Sequence, residues 1–302
     1  VPQVPGCKER WAGPGPNPFP QSLSDLPPRR RDRPVLWVHI HKSGGSLMCA
    51  WAYKMQERVV QPAQFCGSVE FADFRTPIWD EWTYTHVCPS AHAPVGLTCE
   101  RRKRRFEPFT FGKIERALDP GDVCFDDFDY GTILRHPIAR IASQVNYEGP
   151  ELFERIIDCI EYRTEPHCDS IYQGRMQRTY VLFDNFVIRQ LLGRSVWSLP
   201  AGAITVEHYH AAVMVLERFK LVLPLERLRT LQAREEMDSL LGWHIPASTN
   251  KVRQSRYTIP LTDELGARLW RLNKLDIDLY DKILADFDAR GKQRADQAQA
   301  PR

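Results

Sequence analysis

Three stretches of the chain are predominantly apolar: residues 35–40, 131–134 and 219–223. Continuous apolar runs of that length mark strands buried on both faces, because a half-exposed strand would alternate. Apolar positions recur at helical spacing over 46–59, 138–146, 151–163, 174–192, 206–218, 226–241 and 262–287. Strands that alternate with helices predict an α/β fold, a central parallel sheet with helices on both faces, in one domain over 34–288. Residues 1–33 are proline-rich with little apolar periodicity and predict an extended arm or stem. Residues 289–302 are polar and predict a disordered tail.

Composition narrows the picture. The 302 residues, 43% hydrophobic and 26% charged, suit a globular protein with a sizeable core. A formal net charge of +3 is too mild to imply nucleic acid. No apolar run reaches the eighteen or so residues of a membrane span, and the chain opens on Val1 with no signal-like segment, as a trimmed product would. Its eight cysteines (7, 49, 66, 88, 99, 124, 159 and 168) form no Cys-x-x-Cys pair, which argues against a zinc ribbon or thioredoxin-type motif. Their even number and the close pairs Cys88/Cys99 and Cys159/Cys168 suit disulfides in an oxidising compartment, with buried free thiols as the alternative. Connectivity stays open. Two basic runs, Arg29–Arg31 and Arg101–Arg105, are either solvated charge or a groove that attracts polyanions.

The most informative stretch follows the first strand, where Val35-Leu36-Trp37-Val38-His39-Ile40 leads into His41-Lys42-Ser43-Gly44-Gly45-Ser46-Leu47 and a helical pattern. A buried strand, a glycine turn and a helix start form an anion cradle, because backbone N–H groups and the positive helix end converge there. The ligand this predicts is a phosphate or sulfate group. A Walker A loop needs Gly, four residues, then Gly-Lys-Ser/Thr, but Lys42 precedes the glycine pair here. Gly-x-Gly-x-x-Gly cannot be written over the loop either. A second strand, Tyr130–Leu134, ends in Arg135-His136-Pro137, with Pro137 at a first helical position and Ser143 about two turns on. Ligands of open parallel sheets sit beyond the carboxyl ends of the strands, so both segments can face one site.

The pattern His-x-x-Lys-Ser-Gly-Gly-Ser after a strand resembles the 5′-phosphosulfate loop of the Golgi carbohydrate sulfotransferases, which include the heparan sulfate enzymes. The Arg135/Ser143 pair, eight positions apart, is similar to their 3′-phosphate motif, although the family more often has Asp where this chain has His136. Asp184–Gly193, Phe219–Arg227, Leu240–Trp243 and Leu275–Tyr280 look like further landmarks in the family's order, so the resemblance covers about residues 34–287. It implies a P-loop-like α/β fold. It also implies transfer of a sulfuryl group from 3′-phosphoadenosine 5′-phosphosulfate to a hydroxyl, of carbohydrate type, leaving 3′-phosphoadenosine 5′-phosphate and requiring no metal. A Golgi-lumenal catalytic domain, joined to the membrane only through an anchor outside this sequence, is the implied setting.

By the same resemblance, Lys42 neutralises charge on the leaving side, and a preorganised donor of that kind contributes roughly 3–4 kcal/mol. Ser43, Gly44, Gly45, Ser46 and Leu47 bind the 5′-phosphate, Arg135 and Ser143 the 3′-phosphate, and the basic loop with Lys251, Arg253 and Arg256 covers the donor. Transfer to a hydroxyl benefits from a general base. His86, after a short strand, is the first choice, followed by His92, with Glu81, Asp126 and Asp127 as carboxylate alternatives. His39 and His41, at i and i+2, share a side but lack a third metal ligand at usable spacing. Arg189 either reaches a phosphate or pairs with Asp184. The aromatics Trp79, Trp82, Phe106, Phe109 and Phe111 either pack in the core or line an acceptor pocket. Rival readings are a sulfotransferase for a small molecule or tyrosyl protein, a nucleotide kinase, and a non-catalytic module that binds nucleotide or sulfated glycan.

Overall fold

The computed structural model describes residues 31–59, 66, 98–114, 117–118, 122–150, 154, 156, 171–172, 175–176, 179–197, 199–246 and 262–299. Among the described residues, four parallel strands form the central sheet: β1 (Val35–Val38), β2 (Phe111–Ile114), β3 (Asp129–Leu134) and β6 (Leu221–Pro224), in the order β2-β1-β3-β6. A small antiparallel pair, β4 (Ile171–Tyr172) and β5 (Arg175–Met176), stands apart. Among the described residues the helical elements are α1 (Gly45–Lys54), α2 (Cys99–Phe106), α3 (Pro137–Glu148), α4 (Phe186–Leu192), α5 (Arg194–Trp197), α6 (Val206–Glu217), α7 (Leu231–Leu241), α8 (Asp263–Leu272) and α9 (Lys274–Gln299). Among the described residues, no helix is long and apolar enough to cross a membrane.

Period-two alternation along the buried strands creates two cores. Leu36 and Val38 of β1 and Tyr130 and Leu134 of β3 pack with Ile141 and Val145 of α3 and with Phe186 and Ile188 of α4. Val35, Trp37 and Ile133 face the other way, onto Met48 and Trp51 of α1, Met237 of α7 and Phe287 of α9. Helices therefore cover both faces, as the sequence predicts. At the centre Trp37 lies opposite Gly131, and a Cβ added at Gly131 would fall 2.4 Å from the indole ring. The Thr132 hydroxyl also donates to the Val38 carbonyl at 2.7 Å, further joining β1 to β3.

Several expected elements differ. The pattern over 46–59 yields a helix only to Lys54, because Gln56 is left-handed (φ 58°). The span 174–192 contains β5, a 3-10 turn (Thr179–Leu182) and only then α4, which begins after the left-handed Asn185. Within 226–241, a 3-10 turn (Leu225–Arg227) comes before α7, whose cap is Thr230 accepting from the Ala233 N–H. The expected helix 262–287 breaks at Asn273, whose buried amide donates to the carbonyls of Phe183 and Leu269 and accepts from the Asn185 N–H. The tail expected to be disordered from residue 289 is helical through Gln299. Ala, Arg, Lys and Gln are good helix formers, and extending an existing helix avoids the cost of nucleation.

The cysteines also pair differently from their proximity in sequence. Cys99 bonds Cys124 rather than Cys88, and Cys49 bonds Cys66. The run Arg101–Arg105 lies in α2. Its Arg102 is fully buried against Asp122, Lys103 pairs with Asp127, and Arg104 approaches Glu100. This run is accordingly in part a packing element. Phe106, Phe109 and Phe111 are core residues, which removes them from any acceptor pocket. Of the arm, residues 1–30 lie outside the described residues. Arg31 and Arg33 are anchored, Arg31 on Glu57 and the Leu241 carbonyl, Arg33 on Asp129 and the Phe125 and Phe128 carbonyls.

Gly131→Ala is expected to lower unfolding free energy by about 1–3 kcal/mol, the range for overpacking a filled core. Chemical denaturation measures it, and Trp37→Phe in the same chain should recover part of the loss by vacating the clashing ring edge.

Candidate functional site

β1 and β3 are neighbours at the middle of the sheet and run parallel, so the chain leaving each emerges at the same sheet edge. After β1, φ is positive at Lys42 (67°), negative at Ser43 and positive at Gly44 (87°). Alternating handedness turns successive N–H groups to one side, the geometry of an anion-binding nest. Lys42 holds this conformation despite a cost of about 1–2 kcal/mol to an L-residue. Gly44 is the N-cap of α1. At Gly45 a Cβ would come within 2.3 Å of the buried His39 imidazole, so the loop can close over His39 only with glycine there.

The donors of this loop divide into two groups. The Ser43 N–H bonds the Ile40 carbonyl at 3.0 Å, and the Leu47 N–H bonds that of Gly44 at 2.9 Å, so these two expected ligand donors serve the loop's own turns. Gly45 and Ser46 stand at the helix start, where N–H groups have no acceptor within the helix and the dipole is positive. The Ser43 hydroxyl is buried and has no hydrogen-bond partner among the described residues. Such an orphan is rare in a folded protein and fits a polar ligand at the loop.

The second segment meets the first directly. Arg135, just beyond β3, donates from Nη1 to the Lys42 carbonyl at 3.2 Å. On α3, residues 140, 143, 144 and 147 share a face, being three or four positions apart. Gln144 Oε1 lies 2.6 Å from His41 Nδ1, and the Tyr147 ring centroid lies 3.4 Å from Lys42 Nζ. Ser143, half-buried, lies on the same helix one position before Gln144. The structure thus brings the Lys42–Ser46 loop and Arg135 to one place, with Ser143 on the helix that follows Arg135. Tyr147 and Gln144 were not singled out in the sequence, although their spacing from Ser143 carried the signal.

Below this surface Arg140 is fully buried, its guanidinium 4.2 Å from the centroid of the Phe186 ring and bonded to the Leu182 carbonyl. Burial brings its pKa down to about 10; nearby Asp276 opposes that shift and Arg135 adds to it. Partial burial also lowers the pKa of Arg135, against the pull of Glu226. Two neighbouring guanidiniums create a field that favours an anion at the loop. Asp276 is buried and accepts the N–H groups of Val187 and Ile188 at 2.8 and 3.0 Å. Burial raises its pKa to about 6, with the two N–H bonds and Arg140 opposing.

Other candidates lie elsewhere. Arg189 is buried and pairs with Asp184 at 2.7 Å, and it also donates to the carbonyls of Val196, Trp197, Leu199 and Pro200, so it is structural. Asp126 and Asp127 precede β3, at the end opposite Arg135 and about 20 Å away by strand length, too far to serve as the base. His86, His92, Glu81, Trp79, Trp82, Lys251, Arg253 and Arg256 lie outside the described residues.

Among curated proteins, galactose-3-O-sulfotransferase 3 of Bos taurus is 27% identical to this chain over 296 residues. The alignment covers 89% of the chain. The chain is thus similar in sequence to a carbohydrate sulfotransferase. It spans 61% of that relative's length, and the aligned share is large enough to take in the central sheet and the loops at its edge. No protein-family model matches the chain.

Asp276 generates a pH prediction. Its native pKa of about 6 exceeds the usual 3.8, so the folded state holds a proton that the unfolded chain has released. The resulting stability is fully present below about pH 4 and is lost as pH rises through 6. Relative to Asp276→Asn, the wild type should therefore gain about 2 kcal/mol between pH 7 and pH 4.5. Urea unfolding of both proteins at the two pH values measures this difference.

Proposed function

We propose that this chain moves a sulfuryl group from 3′-phosphoadenosine 5′-phosphosulfate to a hydroxyl of a carbohydrate. The observation that carries this reading is the Arg135 to Lys42 carbonyl bond, which joins the two anion-directed loops at the ends of adjacent strands. A donor with phosphates at both the 5′ and 3′ positions calls for two such loops. The similarity to a sulfotransferase across most of the chain supports the same reading.

The buried Ser43 hydroxyl without a partner and the alternating backbone at Lys42–Gly44 fit such a donor. When bound, the donor supplies an activated sulfuryl group. The N–H groups of Gly44, Gly45 and Ser46 and the Ser46 hydroxyl hold the 5′-phosphate. Arg135 and Ser143 hold the 3′-phosphate, with Arg135 suited to a bidentate contact. The Lys42 ammonium neutralises charge that builds on the leaving side, and it does so by exchanging the Tyr147 face for the ligand. Lys251 and Arg253 cover the donor, and His86 takes the acceptor proton. None of these roles needs a metal.

The acceptor follows from the relative's name: a glycan ending in galactose, tested at the 3-hydroxyl, is the first candidate. A Golgi-lumenal setting suits the disulfides Cys49–Cys66 and Cys99–Cys124, which persist in oxidising compartments.

Calorimetric titration without magnesium tests the donor. The wild type is expected to bind 3′-phosphoadenosine 5′-phosphate more than tenfold tighter than adenosine 5′-phosphate, a difference of about 1.4 kcal/mol. Arg135→Ala should erase that preference while leaving adenosine 5′-phosphate nearly unchanged; preference for ATP instead would move the chain to the kinases. Lys42→Ala should lower turnover on a galactose-terminated acceptor by about 10²–10³, with nucleotide affinity changed much less. Unaltered turnover would remove Lys42 from the chemistry.

A further inference from the structure

The Arg135 loop also faces a fixed negative charge. Glu226, in the 3-10 turn that follows β6, is exposed, yet both of its carboxylate oxygens are engaged. Oε1 accepts the backbone N–H of His136 at 3.3 Å, and Oε2 accepts the Tyr280 hydroxyl of α9 at 2.6 Å. The Tyr280 ring is itself held edge-on by the His136 ring, with centroids 5.5 Å apart. Burial, reinforced by this carboxylate, pushes the Tyr280 hydroxyl above its ordinary pKa, so it remains a donor at neutral pH. An exposed glutamate would ordinarily sweep through several rotamers. This one is pinned beside the residue that follows Arg135, and its charge acts on the Arg135 guanidinium.

We infer that Glu226 is a positioning residue that acts through Arg135, as a resident counter-anion that a ligand's 3′-phosphate must displace or tolerate, and so sets how tightly the nucleotide is held. This inference rests on the reading of Arg135 as the 3′-phosphate residue. Two opposed effects follow from the carboxylate. It neutralises Arg135 when no ligand is present, which would help order the guanidinium, and it repels a phosphate, which weakens binding. Repulsion wins, because Arg135 is already oriented by its bond to the Lys42 carbonyl and does not need Glu226 for that. Both the sulfated donor and the desulfated product carry the 3′-phosphate, so the carboxylate loosens both. Loosening the product favours turnover wherever product release limits the rate.

The test uses the full chain and two nucleotide probes, 3′-phosphoadenosine 5′-phosphate and adenosine 5′-phosphate. Glu226→Gln keeps an acceptor for Tyr280 or His136 and removes the charge. It should tighten the 3′-phosphorylated probe by roughly three- to tenfold, a modest effect because the group is exposed to screening solvent. Binding of adenosine 5′-phosphate should not change. Glu226→Asp should restore weaker binding, and Tyr280→Phe, which unpins Oε2, should tighten binding by less than Glu226→Gln. The gain in Glu226→Gln should shrink in high salt. Equal changes for both probes, or weaker binding of the 3′-phosphorylated one, would overturn the inference and leave Glu226 a structural brace. A wild type with no preference for the 3′-phosphorylated probe would overturn the reading of Arg135 itself, and the inference with it.

Discussion

Trp37 lying across Gly131 sets the relation between β1 and β3 on which the rest of the structure depends. The two strands pair directly, with the indole filling the space above the glycine that a side chain would otherwise occupy. From that fixed pairing each strand sends out one loop, and the loops meet within a single hydrogen bond, Arg135 to the Lys42 carbonyl. A register slip of one residue would turn Trp37 to the opposite face and separate the loops. Sheet packing and site assembly are therefore one constraint, and the buried Thr132 hydroxyl on the Val38 carbonyl strengthens it from within.

Collecting positive charge at one sheet edge creates an electrostatic problem. Arg135 adds to the burial that lowers the pKa of Arg140, and Arg140 has almost no solvent contact to relieve it. Compensation comes from below and from the side. Asp276 is anchored on the first N–H groups of α4, and Glu226 is anchored by α9 through Tyr280. Both anchors bring in α9, since Asp276 and Tyr280 sit one helical turn apart near its start. The helix that begins beyond the Asn273 break thus supplies a buried counter-charge to one arginine and positions an exposed one beside the other. An unbroken helix over 262–287 would not place this turn against α4 in the same way, because Asn273 itself ties the break to Phe183 and Asn185.

How much of this was legible follows from the kind of signal each part leaves. β1 and β6 are continuous apolar runs and β3 ends in one broken only by Thr132, and the Lys42 loop and Arg135 carry side chains whose chemistry points to an anion, so sheet and site could be read together. β2 was missed because Phe111-Gly112-Lys113-Ile114 contains a lysine, and only the folded chain shows that Lys113 is buried. Arg102 looked like one charge in a solvated run, since its partner Asp122 comes twenty residues later. The span 174–192 scored as one helix because its apolar spacing ignores Asp184 and Asn185, whose side chains hold the turn open. Glu226 and Tyr280 were visible as parts of landmark segments. Their joint contact with the Arg135 loop depends on tertiary packing, which no local pattern encodes.

The disulfides bear on the part of the chain between the two phosphate-directed segments. Cys66 is bonded to Cys49 on α1, the helix that opens from the glycine loop, and its carbonyl accepts the Lys113 N–H of β2 at 2.7 Å. Cys99 is bonded to Cys124, shortly before β3. Residues 67–97, which include His86 and His92, are thus bracketed by two covalent ties. One leads to the element carrying Lys42 and the other to the approach of the strand carrying Arg135. Closing loops with sequence separations of 17 and 25 removes about 3 kcal/mol of chain entropy each in the usual treatment. Both cross-links therefore stabilise the framework of the site itself, at the helix that follows the Lys42 loop and at the approach to the strand that ends in Arg135.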